Sequence, residues 1–187
     1  MNKVVFVGLG NPGKKFEHTR HNVGIDILRV WVEMMKGRGA TVSNWKEEQA
    51  FNAEIAEVAL PPVQVECIFP LTFMNDAGRA VGAHAAFYNI TPQNILIIHD
   101  DLELPLGEVS IKEEGSAHGH NGVRSIHQQL STDKIRRLRI GIGRPLAQVP
   151  VEEYVLQQFT TEEQPGITQS IHQAALLLEE QAKILAL

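Results

Sequence analysis

Residues 8–13 read Gly-Leu-Gly-Asn-Pro-Gly, directly after the apolar run Val4-Val5-Phe6-Val7. A G-x-G-x-x-G pattern behind a strand is how a dinucleotide-binding strand–turn–helix begins, with the free N–H groups of the helix cradling a pyrophosphate. Here the helix does not start within the glycines. Pro12 biases Asn11 away from helical dihedrals, and Lys14 to Arg20 is polar, with no apolar stripe of helical period. Periodicity begins later, with Val23, Ile25, Ile27, Leu28, Trp31, Val32 and Met35. No second strand ending in an acidic residue follows about 20 residues downstream, where a ribose partner is needed. The stretch opens an α/β chain without making it a nucleotide binder. It reads as a strand, a Gly/Pro turn and a loop presenting Asn11 and His21 at the edge of a sheet.

Outward from that turn, strands are expected near 3–8, 52–59, 63–70, 94–99, 107–112 and 137–142, and helices near 21–36, 75–88, 120–131 and 167–186. Pro61-Pro62 marks a turn, Gly37 and Gly39 end the first helix, and Thr91-Pro92 breaks the chain before Ile95-Leu96-Ile97-Ile98. That run is apolar on both faces, as a central strand covered by helices is. The expected fold is α/β: a single domain over residues 1–187, with a central mixed, mostly parallel β-sheet flanked by helices. At 187 residues and 43% hydrophobic content the chain can bury an ample core. No apolar run reaches the 18 residues of a membrane span, and the start reads as a strand rather than a signal peptide. The single cysteine, Cys67, allows no internal disulfide and suits a reducing cytosol; strand alternation faces it inward with Val65 and Phe69. A cytoplasmic protein with no membrane partner is expected.

Polar residues gather at the ends of these elements, where α/β proteins place their sites. Four clusters stand out: Asn11 with His21-Asn22; Met74-Asn75; His99-Asp100-Asp101 at the end of the central strand; and His118-Gly119-His120-Asn121-Gly122. Singly, each reads as a turn or a helix cap. Together they supply imidazole, carboxylate and amide side chains, the kit for water attack on an ester or amide.

The segments GLGNPG, TRHNVG, LTFMN, HDDLELPLG, GHNGVRSI and RLRIGIGRP, in this order from about Lys3 to Phe159, resemble the bacterial-type peptidyl-tRNA hydrolases. The resemblance implies hydrolysis of the ester joining a peptide to the 3′ ribose of tRNA. It implies His21 as general base, Asp100 as the group that orients it, and Asn11, Asn75 and Asn121 as residues positioning peptide, ester and water. Met74 would line the same cleft, with Phe16 among the substrate-binding residues. Lys112 and the basic residues after Asp133, Arg137 and Arg139 among them, would face the tRNA. No cofactor and no metal are expected, and the protein is expected to be a monomer whose partner is peptidyl-tRNA.

Physical chemistry bears on the same roles. His21 falls where a helix begins, and a helix N-terminus disfavours the imidazolium, leaving the neutral ring a base needs. A carboxylate bonded to one ring nitrogen fixes the tautomer and frees the other nitrogen. Strand alternation points Asp100 and Asp101 opposite ways. An Asn amide can stabilise an oxyanion without added charge, and no serine or cysteine nucleophile is required. The sequence also departs from the family. Phe16 stands where tyrosine is usual, His118 where glycine is common, and the net charge is −5 where relatives are typically basic. From Lys112 to Arg144, however, seven Lys/Arg face three acidic residues, a local +4 that leaves −9 elsewhere. Two rivals remain: a metallohydrolase built on His99, Asp100 and His118-x-His120, and an RNA-binding protein on this fold that has lost catalysis. His21, Asp100 and the three asparagines favour the enzyme over both.

Overall fold

In the computed structural model, residues 2–186 are described. The chain runs β1 (Asn2–Gly8), α1 (Val23–Gly37), β2 (Thr41–Val42), β3 (Lys46–Glu48), β4 (Ala53–Leu60), β5 (Val63–Pro70) and α2 (Ala77–Tyr88). It continues through β6 (Ile95–Asp101), β7 (Val109–Lys112), α3 (Asn121–Leu130), β8 (Arg136–Gly141), α4 (Val151–Tyr154) and α5 (Gln164–Leu185). The strands form one sheet in the order β2-β4-β5-β1-β6-β8-β7, with β3 paired to β4.

The parallel character expected from the sequence is confined to the centre. β5, β1, β6 and β8 pair in parallel, but β4–β5, β2–β4, β3–β4 and β7–β8 are antiparallel. Antiparallel pairings outnumber parallel ones, which corrects the expectation of a mostly parallel sheet. The reason is local. Pro61-Pro62 closes a tight β4–β5 turn that needs no helical crossover, and at the other edge β7 lies antiparallel to β8 although α3 intervenes between them in the chain.

Alternation along the central strands feeds two apolar layers. Val4, Phe6, Leu96, Ile98, Leu138 and Ile140 pack with Leu28, Trp31 and Val32 of α1 and Ala174, Ala175 and Leu178 of α5. Val5, Val7, Ile95 and Ile97 face the other way, against Ala80 and Val81 of α2 and Val123 and Ile126 of α3. The buried Cys67 lies in the first layer, where burial pushes its thiol well above its ordinary value.

The opening glycines are explained by packing. A Cβ on Gly10 would lie 2.9 Å from the Asn22 side chain, and one on Gly24 only 2.2 Å from the Ile98 carbonyl oxygen. These positions let the first turn of α1 press onto the end of β6, while Gly13 (φ 104°) turns the chain in open space. Lys14–Phe16 is one 3-10 turn, and another, Arg20–Asn22, precedes α1. That second turn delivers His21 to the carboxyl end of the parallel strands.

Candidate active site

His21 is held from both directions. Its backbone N–H donates to Val155 O (2.8 Å), and the neighbouring Arg20 N–H donates to Gln157 O (2.9 Å), tying the turn to the segment after α4. Arg20 is itself buried, its guanidinium paired with Glu163 (2.7 Å) and stacked on Tyr154 and Phe159. On the ring side, His21 Nδ1 lies 2.9 and 3.1 Å from the two carboxylate oxygens of Asp100. A carboxylate only accepts, so Nδ1 carries the proton and Nε2 is left with its lone pair.

Asp100 is wholly buried and serves two imidazoles. His120 Nε2 lies 2.8 Å from its Oδ1, and His120 Nδ1 accepts the Val123 N–H at the start of α3 (3.3 Å). His120 therefore donates through Nε2 while capping the helix. Burial works against an ionised Asp100, but His21 and His120 outweigh it and hold its carboxyl well below the usual carboxylate range. Asp101 points away, as alternation requires, accepting from Arg139 (3.0 Å) and from the Glu103 N–H (2.8 Å). His99 is buried beside the cluster with Nδ1 2.6 Å from Asp100 O; burial and the neighbouring His120 push its affinity for a proton well down.

The direction for His21 differs from the sequence expectation. Burial lowers its pKa, yet attraction to and hydrogen bonding with Asp100 outweigh this, so the net shift is upward from 6.5. The ring sits in a 3-10 turn before α1 and against a full carboxylate, and the partial charge of a helix end is the weaker influence.

A cavity of about 170 Å³ opens above the cluster, lined by His21, His99, Asp100, His120 and Asn121 and closed on one side by Val151, Glu152 and Val155. Asn121 lines it with Oδ1 accepting from Arg124 (2.6 Å), so that Nδ2 is the amide's donor end. Asn11 does not line this cavity. It is buried in the β1 turn, its N–H donating to Asn22 Oδ1 (2.9 Å) and its carbonyl accepting from Asn22 Nδ2 (2.9 Å). Its own Oδ1 accepts the Met74 N–H (2.8 Å), which reserves Nδ2 as a donor. Met74 is buried against Gly122 and Leu9 rather than open to the cleft. Asn75 is exposed in the 3-10 turn before α2.

Phe16 meets Phe73 edge to face (centroids 6.4 Å apart), and Phe73 is 60% exposed. Sequence reasoning passed over Phe73; its signal was a large aromatic in a strand–helix loop next to two candidate residues. In the sequence His120 stands in the His118–Gly122 cluster and as half of a candidate metal pair, with no role of its own. Its role as cap and carboxylate partner follows from the loop's path, which no spacing rule encodes.

The proposed RNA contacts divide. Lys112 is at the surface, its Nζ 2.8 Å from His118 Nε2. Arg139 is mostly buried and its charge is engaged by Asp101 and Ser110. Arg137 is a correction: it is 0% exposed and donates to the carbonyls of Ser116 (3.0 Å) and Gly115 (2.8 Å), so it cannot meet a phosphate. Alternation on β8 turns it onto the α3 layer instead of toward solvent. The metal set expected by the rival reading is also dispersed, because His118 faces Lys112. The donor atoms that do converge are those of His21, Asp100 and His120, within 4.8 Å of one another and already joined by hydrogen bonds.

An α/β sheet carrying a carboxylate-held imidazole at its carboxyl edge, in a cavity lined by the Asn121 amide, defines a hydrolase. The chain belongs to the peptidyl-tRNA hydrolase family, whose model matches residues 5–184. It is 39% identical to a Listeria welshimeri peptidyl-tRNA hydrolase over 96% of this chain and 94% of the relative. Against the Geobacillus kaustophilus peptidyl-tRNA hydrolase it is 38% identical, over 96% and 92%. The crystal structure of peptidyl-tRNA hydrolase from Acinetobacter baumannii superposes with a TM-score of 0.80 at 33% identity, covering 99% of this chain and 93% of that one. Hydrolysis of the peptidyl-tRNA ester is the activity this family membership assigns to the chain. Among the described residues no helix is long and apolar enough to cross a membrane.

Proposed function

We propose that the ester is cleaved by direct attack of water, with His21 as general base. Water adds to the carbonyl carbon as Nε2 takes its proton, and the resulting imidazolium then protonates the departing 3′ oxygen of the ribose. The observation that carries this reading is the 2.9 Å contact between His21 Nδ1 and Asp100, which leaves Nε2 as the ring's one proton acceptor. Asp100 stabilises the imidazolium that forms without taking the proton itself.

Asn121 and Asn75 offer amide donors for the oxyanion and the ester, and Asn11, with Nδ2 reserved, for the peptide. Phe16 and the exposed Phe73 give an apolar surface on which an unpaired base can stack. Lys112 is the phosphate contact retained from the sequence. Met74 supports the site from beneath. A cytoplasmic monomer is the form in which we expect the enzyme to act.

The test is hydrolysis of N-acetyl-aminoacyl-tRNA beside the free aminoacyl form. The blocked substrate should be strongly preferred, and His21→Ala should lose roughly 100-fold or more in turnover. Equal rates on the two substrates would refute the substrate assignment. Near-normal turnover in His21→Ala would refute the base.

A further inference from the structure

Between β7 and α3 the chain makes its most irregular passage near the site. Gly115 (φ 111°), His118 (φ 45°) and Gly119 (φ 83°) all adopt left-handed backbone, and residues 113–119 form neither helix nor strand. Yet this passage sets His120 against Asp100 to within hydrogen-bond distance, and it contributes Ala117, His118 and Gly119 to the cavity wall. Something must hold it. The Gly115 N–H donates to Asp133 O (3.0 Å), Ala117 O accepts the His120 N–H (2.9 Å), and at the surface Glu113 pairs with Arg136 and His118 with Lys112; the carbonyls of residues 114–116 are held by one buried side chain.

That side chain is Arg137, on β8 directly beneath. Its guanidinium spans the carbonyls of Gly115 (2.8 Å), Ser116 (3.0 Å) and Glu114 (3.5 Å). No carboxylate pairs with it among the described residues, its Nε has no partner, and it is fully buried. A buried cation is costly unless its donors are satisfied. Here its two terminal NH2 groups are satisfied by backbone carbonyls that point inward only while the passage keeps its present path. The fork geometry matters: a guanidinium addresses several acceptors at fixed angles, whereas an ammonium is a single compact point.

We infer that Arg137 is a positioning residue for hydrolysis, strapping residues 114–116 so that His120, and through Asp100 the base His21, keep their alignment. It acts through the backbone and touches no substrate. The part of this inference that concerns turnover rests on His21 as the base.

The experiment compares Arg137→Lys, which keeps the charge but not the fork, with Arg137→Met, which keeps the packing alone. Each is read in two ways at a temperature where circular dichroism shows it folded. In steady-state kinetics on N-acetyl-aminoacyl-tRNA, kcat should fall roughly tenfold or more, as a displaced catalytic constellation requires. KM and the salt dependence of binding should not change. In proton NMR of the free protein, the imidazole N–H signals of His21 and His120, moved downfield by Asp100, should broaden or shift in both variants. A raised KM with a flattened salt slope would overturn the inference and return Arg137 to the RNA surface. So would unchanged kcat with unchanged imidazole signals. If Arg137→Met does not fold, Arg137→Lys alone decides between these outcomes. The NMR signals report on the strap even if His21→Ala shows that His21 is not the base, so the two failures are distinguishable.

Discussion

Burial alone would make the His21 imidazole a poorer proton acceptor than in water, because the imidazolium loses its hydration. Asp100 reverses that, at 2.9 Å and with its own charge secured by a second imidazole, so the net shift of His21 is upward. The folded state therefore binds this proton more tightly than the unfolded chain. The attraction is fully present below the ordinary value of 6.5 and is lost as pH rises through the higher folded value. Asp100 runs the other way: its contribution is present above the ordinary 3.8 and lost as pH falls through its depressed value. With His21 as the proposed base, which must be unprotonated to act, the acid limb of kcat/KM should have its midpoint above 6.5. In Asp100→Asn only the burial effect on His21 remains. The midpoint should then fall below 6.5 even as the maximal rate drops. Identical midpoints in the two proteins would show that Asp100 does not govern the base. Much at this scale was legible: the candidate base, its carboxylate and the opposed directions of Asp100 and Asp101 all follow from residue type and strand period. The sign of the His21 shift was not, since it depends on a distance across 79 positions of sequence.

Elements with a long period were the readable ones. The apolar stripe of α1, the two-sided run of β6 and the alternation of β5 announce themselves, and the structure has each within a few residues of its expected place. β2, β3 and α4 have two, three and four residues, too few to express a period, and the sequence gives them no capping or turn signature of their own. Sheet direction was harder still, because an antiparallel return at the edge depends on where a turn sends the chain. What joins element to site is the contact between α1 and β6. Gly24→Ala would place a methyl group 2.2 Å from the Ile98 carbonyl oxygen and 2.9 Å from both Leu9 N and Leu9 O, all backbone atoms with little room to yield. The start of α1 must then lift from the strand that carries Asp100. We expect a loss of about 1–3 kcal/mol in stability, with kcat reduced in the protein that remains folded. Gly37→Ala, at the other end of the same helix, meets nothing within 4 Å and serves as the control. It should leave kcat unchanged and stability equal or raised by up to about 1 kcal/mol. Equal melting temperatures for the two variants would mean that the close approach is not what seats α1.

Taken as a whole, the molecule carries −5, and its substrate is a polyanion. A local excess of +4 between Lys112 and Arg144 looked sufficient in sequence, but counting residues does not count available charges. Arg137 is buried under the loop, Arg139 is engaged by Asp101, and Arg136 and Arg144 are paired with Glu113 and Glu103. Lys112, Arg124 and Lys134 remain in that segment with no carboxylate partner among the described residues. Each phosphate neutralised contributes roughly 0.7 to 0.9 to the slope of log affinity against log salt. A segment with so few free cations should therefore contribute only a shallow slope, made shallower by the repulsion of the acidic remainder at low ionic strength. Lys112 is the sharpest probe, because its ammonium stands beside His118, which also lines the catalytic cavity. Lys112→Ala should raise KM for peptidyl-tRNA, lower the salt slope by roughly 0.7 to 0.9 and leave kcat unchanged. The measurement is KM at a series of salt concentrations for parent and variant with one tRNA substrate. A slope that stays put while KM rises would mean that Lys112 acts through His118 on the shape of the cavity, and the phosphate contact would have to be sought at Arg124 or Lys134.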